Sequence, residues 1–229
     1  MQTKNADYYH IYSPDYADYA SDGALSFCDK ESAIEDVESI LKEMGISSVT
    51  CYESYALPLE YHKNVEEDAA EAGFANDTLS DAEWNELGDC YELFFTSKID
   101  DIDLEPEGYV ASDDSLCNGA KILVLYNANG IAYIDAANRY KTTDNGESVD
   151  VIDGETILSS LKDKMESQIL TSEYRVMSEK LEYYPSVVNI KDNEFQLIPV
   201  WKITLESEDE NDGTVEYLFD AESGKELVC

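Results

Sequence analysis

Side chains able to do chemistry are abundant here in one type only. Of 229 residues, 51 are Asp or Glu, against 15 Lys or Arg and 2 His. The histidines are His10, in a polar N-terminal stretch, and His62, at the end of an alternating segment. A Ser-His-Asp or Cys-His relay needs one of them beside a nucleophile, because imidazole is the base that takes the nucleophile's proton. Neither sits in a context such as G-x-S-x-G, and no P-loop or G-x-G-x-x-G offers a phosphate cradle. Carboxylate pairs for acid–base hydrolysis can be drawn almost anywhere among so many acids, so spacing selects none. The sequence predicts no catalytic residues and no cofactor.

Two acidic clusters invite a cation: Asp100, Asp101 and Asp103, followed by Glu105 and Glu107, and the pair Asp209 and Asp212. Calcium takes oxygen ligands from such runs, but the first cluster lacks the Gly and distal Glu of the EF-hand pattern. The second carries Phe219 where the twelfth-position Glu should stand. Whether Asp100/Asp101/Asp103 or Asp209/Asp212 bind a cation stays open at this level. A calcium-dependent binding or adhesion module is accordingly the alternative functional reading. Cys28, Cys51, Cys90, Cys117 and Cys229 form no C-x-x-C pair, which leaves a zinc site without a spacing and the metal-ligand set at none. Cys51 and Cys90 fall in predicted strands, either facing each other or serving as small buried hydrophobes. The candidate binding surface is aromatic: Tyr183, Tyr184 and Trp201, residue types favoured as interface anchors and equally as core under a helix.

The formal charge of −36 and pI near 4.1 argue against a phosphate-neutralising nucleic-acid surface and against anionic lipid, both of which need Lys and Arg. A hydrophobic share of 43% with 17 tyrosines supports a folded core, since disordered acidic chains are poor in aromatics. No window reaches the ~18 apolar residues of a membrane span. Residues 1–23 read as an N-terminal tether with no period.

These side chains must be positioned by two successions of similar elements. Asp29 caps a helix with Ala33, Ile34, Val37, Ile40, Leu41 and Met44 on one face, closed by Gly45. Alternation predicts strands over residues 49–61 and 90–96. From residue 64 to residue 119 runs an acidic stretch whose sole basic residue is Lys98. Residues 122–126 and 131–135 form a hairpin about Asn127-Ala128-Asn129-Gly130. Asp153 then caps a second helix carrying Ile157, Leu158, Leu161, Met165 and Ile169. Strands follow over residues 173–184, ended by Pro185, and over 195–205 and 214–220. Leu125-Tyr126-Asn127-Ala128-Asn129-Gly130 and Leu218-Phe219-Asp220-Ala221-Glu222-Ser223-Gly224 share one logic: an apolar pair, an Asn or Asp that bonds its own backbone, and a Gly. The chain reads as one unit written twice.

Leu181-Glu182-Tyr183-Tyr184-Pro185, Leu197-Ile198-Pro199-Val200-Trp201-Lys202-Ile203 and Tyr217-Leu218-Phe219-Asp220-Ala221-Glu222-Ser223-Gly224-Lys225-Glu226 together resemble the closing half of PepSY-like extracytoplasmic proteins. These include accessory regulators of a cell-wall sensor kinase in Gram-positive bacteria and lipoproteins of uncharacterised function from Firmicutes. The resemblance implies an α+β fold of two tandem helix-on-antiparallel-sheet (PepSY/cystatin-like) subdomains. It also implies a cell-surface or membrane-anchored location and a non-enzymatic binding or regulatory-accessory role toward a protein partner at the cell envelope. The expected organisation is a tether at 1–23, a first subdomain with an acidic insertion at 24–143, and a second subdomain at 144–229.

Overall fold

The computed structural model describes residues 24–61, 82, 88–110, 116–117, 119–136, 139–143, 146, 148–167, 172–189, 191–192, 194–208 and 213–228. The expected tether, His10, His62, nearly all of the acidic insertion, Asp209 and Asp212 lie outside these residues. In chain order the elements are α1 (Lys30–Glu43), β1 (Val49–Leu57), β2 (Cys90–Ile99), β3 (Ile102–Asp103), β4 (Tyr109–Val110), β5 (Leu116–Cys117) and β6 (Lys121–Asn127). They continue with β7 (Gly130–Asp135), α2 (Gly154–Ser167), β8 (Tyr174–Asn189), β9 (Glu194–Ser207), β10 (Thr214–Asp220) and β11 (Glu226–Val228). The class is α+β, with two sheets: one ordered β1-β2-β6-β7 with β3 on β2, the other β11-β10-β9-β8-β5-β4. Two compact units result, one of Met1–Phe95 with Ile122–Ala136, the other of Thr96–Lys121 with Ala137–Cys229.

In the first unit α1 starts where the sequence places it. The Asp29 carboxylate accepts the Ser32 N–H at 2.7 Å, satisfying a donor that the first helical turn would otherwise orphan. Gly45, at φ 84°, takes the left-handed position after the C-cap. Ala33, Val37 and Leu41 are fully buried against Tyr91, Leu93 and Phe95 of β2 and Ile122 and Val124 of β6. Burying each large apolar side chain is worth roughly 1.5–3 kcal/mol, which makes this stripe the main reason the helix holds. The Tyr91 hydroxyl accepts the Leu25 N–H and donates to the Cys28 carbonyl, both at 2.8 Å, tying the chain entering α1 to the sheet. Cys90 packs with Leu57 and Leu125, away from the α1-side core that receives Cys51. Strand alternation therefore separates the two thiols, and Cys28, Cys51 and Cys90 are thiols rather than members of disulfides. Burial raises the Cys51 thiol to about 11 and pushes Cys90 higher still, so both act as small hydrophobes.

In the second unit α2 begins behind Asp153, whose carboxylate accepts the Thr156 N–H at 2.9 Å. Ile157 and Leu161 bury against Ile203 and Leu205 of β9 and Tyr217 and Phe219 of β10. Toward the end of α2, Lys164 bridges to Glu226 at 2.7 Å and lies 4.9 Å from the centre of the Tyr217 ring. The two turn motifs behave alike: Asn127 Oδ1 accepts the Asn129 N–H and Asp220 Oδ1 accepts the Glu222 N–H, each two residues on.

Four expectations change. The first strand ends at Leu57 rather than residue 61, since Pro58 lacks an N–H and its carbonyl accepts Tyr61 N–H in a turn. β8 does not end at Pro185 but runs on to Asn189, pairing Pro185 with Leu197. Among the described residues, β8 is paired on its outer side at Tyr183 by Leu104 and at Ser186 by β5, with no pairing given there for Pro185 itself, so a residue without an N–H is tolerated. The acidic loop at residues 100–107 begins as a two-residue hairpin turn: Ile99 pairs with Ile102, and Asp100 and Asp101 between them take φ 50° and 65°. Such a turn needs positive φ at both central positions, which Asp tolerates better than most residues. Finally, Thr96–Lys121 was expected in the first subdomain but groups with the second unit, because β4 and β5 extend that unit's sheet and Leu104 bridges to Tyr183.

Candidate functional site

Within the second unit the sheet has two unlike faces. Trp201, Ile203 and Leu205 alternate toward α2, while Val200, Lys202 and Thr204 point the other way. On that second face β8 contributes Glu182, register partner of Val200, and β10 contributes Glu216. The segment Thr96–Lys121 brings a further carboxylate. After the β2–β3 hairpin, Leu104 forms a parallel bridge with Tyr183, and Glu105 donates its N–H to the Tyr183 carbonyl at 2.8 Å. Thr96 Oγ1 donates to the Leu104 carbonyl at 2.6 Å, fixing the approach. Beyond Glu105, the Pro106 carbonyl accepts the N–H groups of Ala120 and Lys121, both at 3.1 Å. Gly119 makes that closure possible: at φ 64°, a Cβ there would stand 2.4 Å from the Pro106 oxygen.

These elements assemble an ionic cluster in the interior. Glu105 is 0% exposed, Glu182 5% and Lys202 9%. Lys202 Nζ lies 3.2 Å from Glu105 Oε1 and 3.1 Å from Glu216 Oε2. Glu105 Oε1 also accepts the Glu107 N–H at 3.0 Å. Two carboxylates therefore meet one ammonium, and the Glu182 carboxyl acts on it as a further neighbouring charge. As ionised groups, Glu105 and Glu182 would each bury an oxygen, Oε2, with no donor to meet it. One proton held between the two carboxyls would resolve this, and burial raises both of them. Burial, then the neighbouring Glu105 charge, pushes the Glu182 carboxyl up to about 8, against an ordinary value of 4.5. Burial also raises Glu105, opposed by the Lys202 charge. For Lys202 burial works to lower the value, but Glu105, Glu216 and Glu182 outweigh it and hold the ammonium above its ordinary range. An amine kept charged is a poor nucleophile, so the cluster is equipped to hold and exchange a proton rather than to form an imine.

The aromatic residues singled out by sequence surround this cluster without forming one surface. Tyr184 is buried among Val200, Leu218 and Leu227, on the cluster's face. Trp201 is half-buried toward α2, and its Nε1 donates to the Ile152 carbonyl at 2.8 Å. Tyr183 alternates to the same side as Trp201 and uses its carbonyl to receive Glu105. Of the first acidic cluster, Asp100 and Asp101 form the hairpin turn and Asp103 lies 3.8 Å from Lys98. Among the described residues no group of three or more His, Cys, Asp or Glu is arranged to hold a metal ion. Sequence reasoning overlooked Glu182 and Lys202 and placed Glu105 only in an acidic loop, not in a cluster with them. The available signal was a charge at an inward position of two apolar strands, Glu182 beside Leu181 and Lys202 between Trp201 and Ile203. Glu105 offered none, since its partner is 97 residues away.

The class these features define is an α+β protein with an internal Lys–Glu cluster in its second unit. The described architecture is similar to the crystal structure of an uncharacterized protein from Eubacterium rectale ATCC 33656, at a TM-score of 0.67 and 19% identity. The match covers 93% of this chain and 59% of that one, so the chain spans little more than half of its neighbour's length. At this identity the likeness is one of fold. No family model matches the sequence, and no curated protein matches it. No helix among the described residues is long and apolar enough to cross a membrane.

Proposed function

We propose that this chain is a non-enzymatic, extracytoplasmic binding or regulatory-accessory protein. In this reading its two helix-on-sheet units are tandem PepSY-like subdomains, and its partner is a protein at the cell envelope. The observation that carries the reading is how the ionisable groups of the second unit are used. Glu105, Lys202 and Glu216 are engaged with one another and with backbone, joining a crossing segment to a sheet. Groups committed in this way maintain a shape, and a maintained shape is what a binding protein needs. The segments that carry the PepSY-like resemblance support it too, since they form the middle of β8, β9, and β10 with its Asp220 turn.

Localisation tests the proposal. The full-length gene, expressed in a Gram-positive host, should yield protein in the envelope fraction that external protease degrades on intact cells. Retention in the cytosol would remove the extracytoplasmic reading and the envelope partner with it.

A further inference from the structure

We propose that residues 96–107 form a strap held on the outer side of β8 by a proton-dependent latch, in which the Glu182 carboxyl, Glu105 and Lys202 together keep the strap closed. The strap meets the sheet through the Leu104 bridge, the Glu105 N–H to the Tyr183 carbonyl, and the Glu105 side chain buried against Lys202, and its far end is anchored by the Pro106 carbonyl to Ala120 and Lys121 and by Glu107 to Lys121. Glu105 is the strap's own charge in the cluster, so the strap closes only when a buried carboxylate is satisfied. Glu182 meets Glu105 from β8, Lys202 from β9, Glu216 faces Lys202 from β10, and Lys180 adds its charge from β8 itself.

With a proton on Glu182, Glu105 gains a donor and the cluster carries one negative charge less. When Glu182 ionises, three carboxylates lie around one ammonium and two buried oxygens are left with no donor to meet them. Opening the strap returns Glu105 to water and relieves both costs. The sign follows: Glu182 holds its proton more firmly closed than open, so closure is fully favoured below the ordinary glutamic acid value of 4.5. That preference is lost as pH rises through about 8. Release bares the outer backbone of β8 at Tyr183, where the strap is hydrogen-bonded in the closed form.

Hydrogen exchange on the full chain, read by mass spectrometry between pH 6 and 9 and corrected for intrinsic rates, tests the latch. Protection in peptides from residues 96–107 should fall by up to about tenfold per pH unit and level off above about pH 8, one proton being linked to opening. Peptides from β9 and β10 should stay protected throughout. In Glu182→Gln, where an amide donates to Glu105 at every pH, strap protection should no longer vary with pH. Protection that is flat in the native chain would overturn the proposal, as would the native pH dependence surviving in Glu182→Gln. So would strap peptides that share one protection factor with β9 and β10 at every pH, which would mean that the whole unit, and not the strap, opens.

Discussion

Lys202 shows how one side chain is committed from two sides. It stands on an apolar strand, and its ammonium is met by Glu105 at 3.2 Å and Glu216 at 3.1 Å. A buried pair of this kind adds little over a hydrophobic replacement of both members, but losing one member strands the other's charge. Lys202→Met should therefore cost about 3–5 kcal/mol in urea unfolding. Adding Glu105→Gln to it should recover part of the loss, which a merely steric effect of Met would not allow. Glu182 sets the pH dependence. Its raised value means that the native state binds a proton the unfolded chain has released, so stability falls as pH climbs from about 4.5 to about 8. Urea midpoints for the native chain and Glu182→Gln should diverge across that window, with the variant losing less as pH rises.

At the scale of elements, two turns carry predictions of opposite sign. The β2–β3 hairpin is built on Asp100 and Asp101 at positive φ, so their acidity is incidental to the turn. Replacing the pair by Asn-Gly should leave stability unchanged or raise it by up to about 1 kcal/mol, because those residues enter the left-handed region most easily. A calcium dependence that vanished in that variant would support the cation reading, with these carboxylates as ligands. Gly119 is the opposite case. Its φ of 64° and the 2.4 Å approach of the Pro106 oxygen leave no room for a Cβ, and the obstacle is backbone. Gly119→Ala should destabilise by about 2–4 kcal/mol in thermal or urea unfolding. Elements with local signals were legible: Asp29 and Asp153 cap their helices, and the Asn127–Gly130 turn closes its hairpin as the residues suggest. The continuation of β8 through Pro185 was not, because a proline stops a strand only when both sides of it are paired, and pairing is a tertiary property.

For the whole molecule, the order of the chain and the order of its units differ. A linear reading divides it near residue 143, yet Thr96–Lys121 belongs with the C-terminal unit and supplies Glu105, Leu104, β4 and β5 to its sheet. That assignment was illegible because it rests on contacts such as Glu105 to Lys202, which no local pattern encodes. A fragment of residues 144–229 should accordingly lack Glu105, one of the two carboxylates that meet Lys202, and the Leu104 bridge to Tyr183. We expect it to unfold without a cooperative transition, whereas the intact chain unfolds cooperatively; urea denaturation followed by tryptophan fluorescence reports both, through Trp201. The most direct measurement is of the proton itself. A pH titration of the Glu182 carboxyl carbon by NMR in the full chain should show it still protonated at pH 6.5 and titrating near 8. A midpoint close to 4.5 would contradict the account, because Glu105 and Glu182 would then share the interior as two charges with no proton between them.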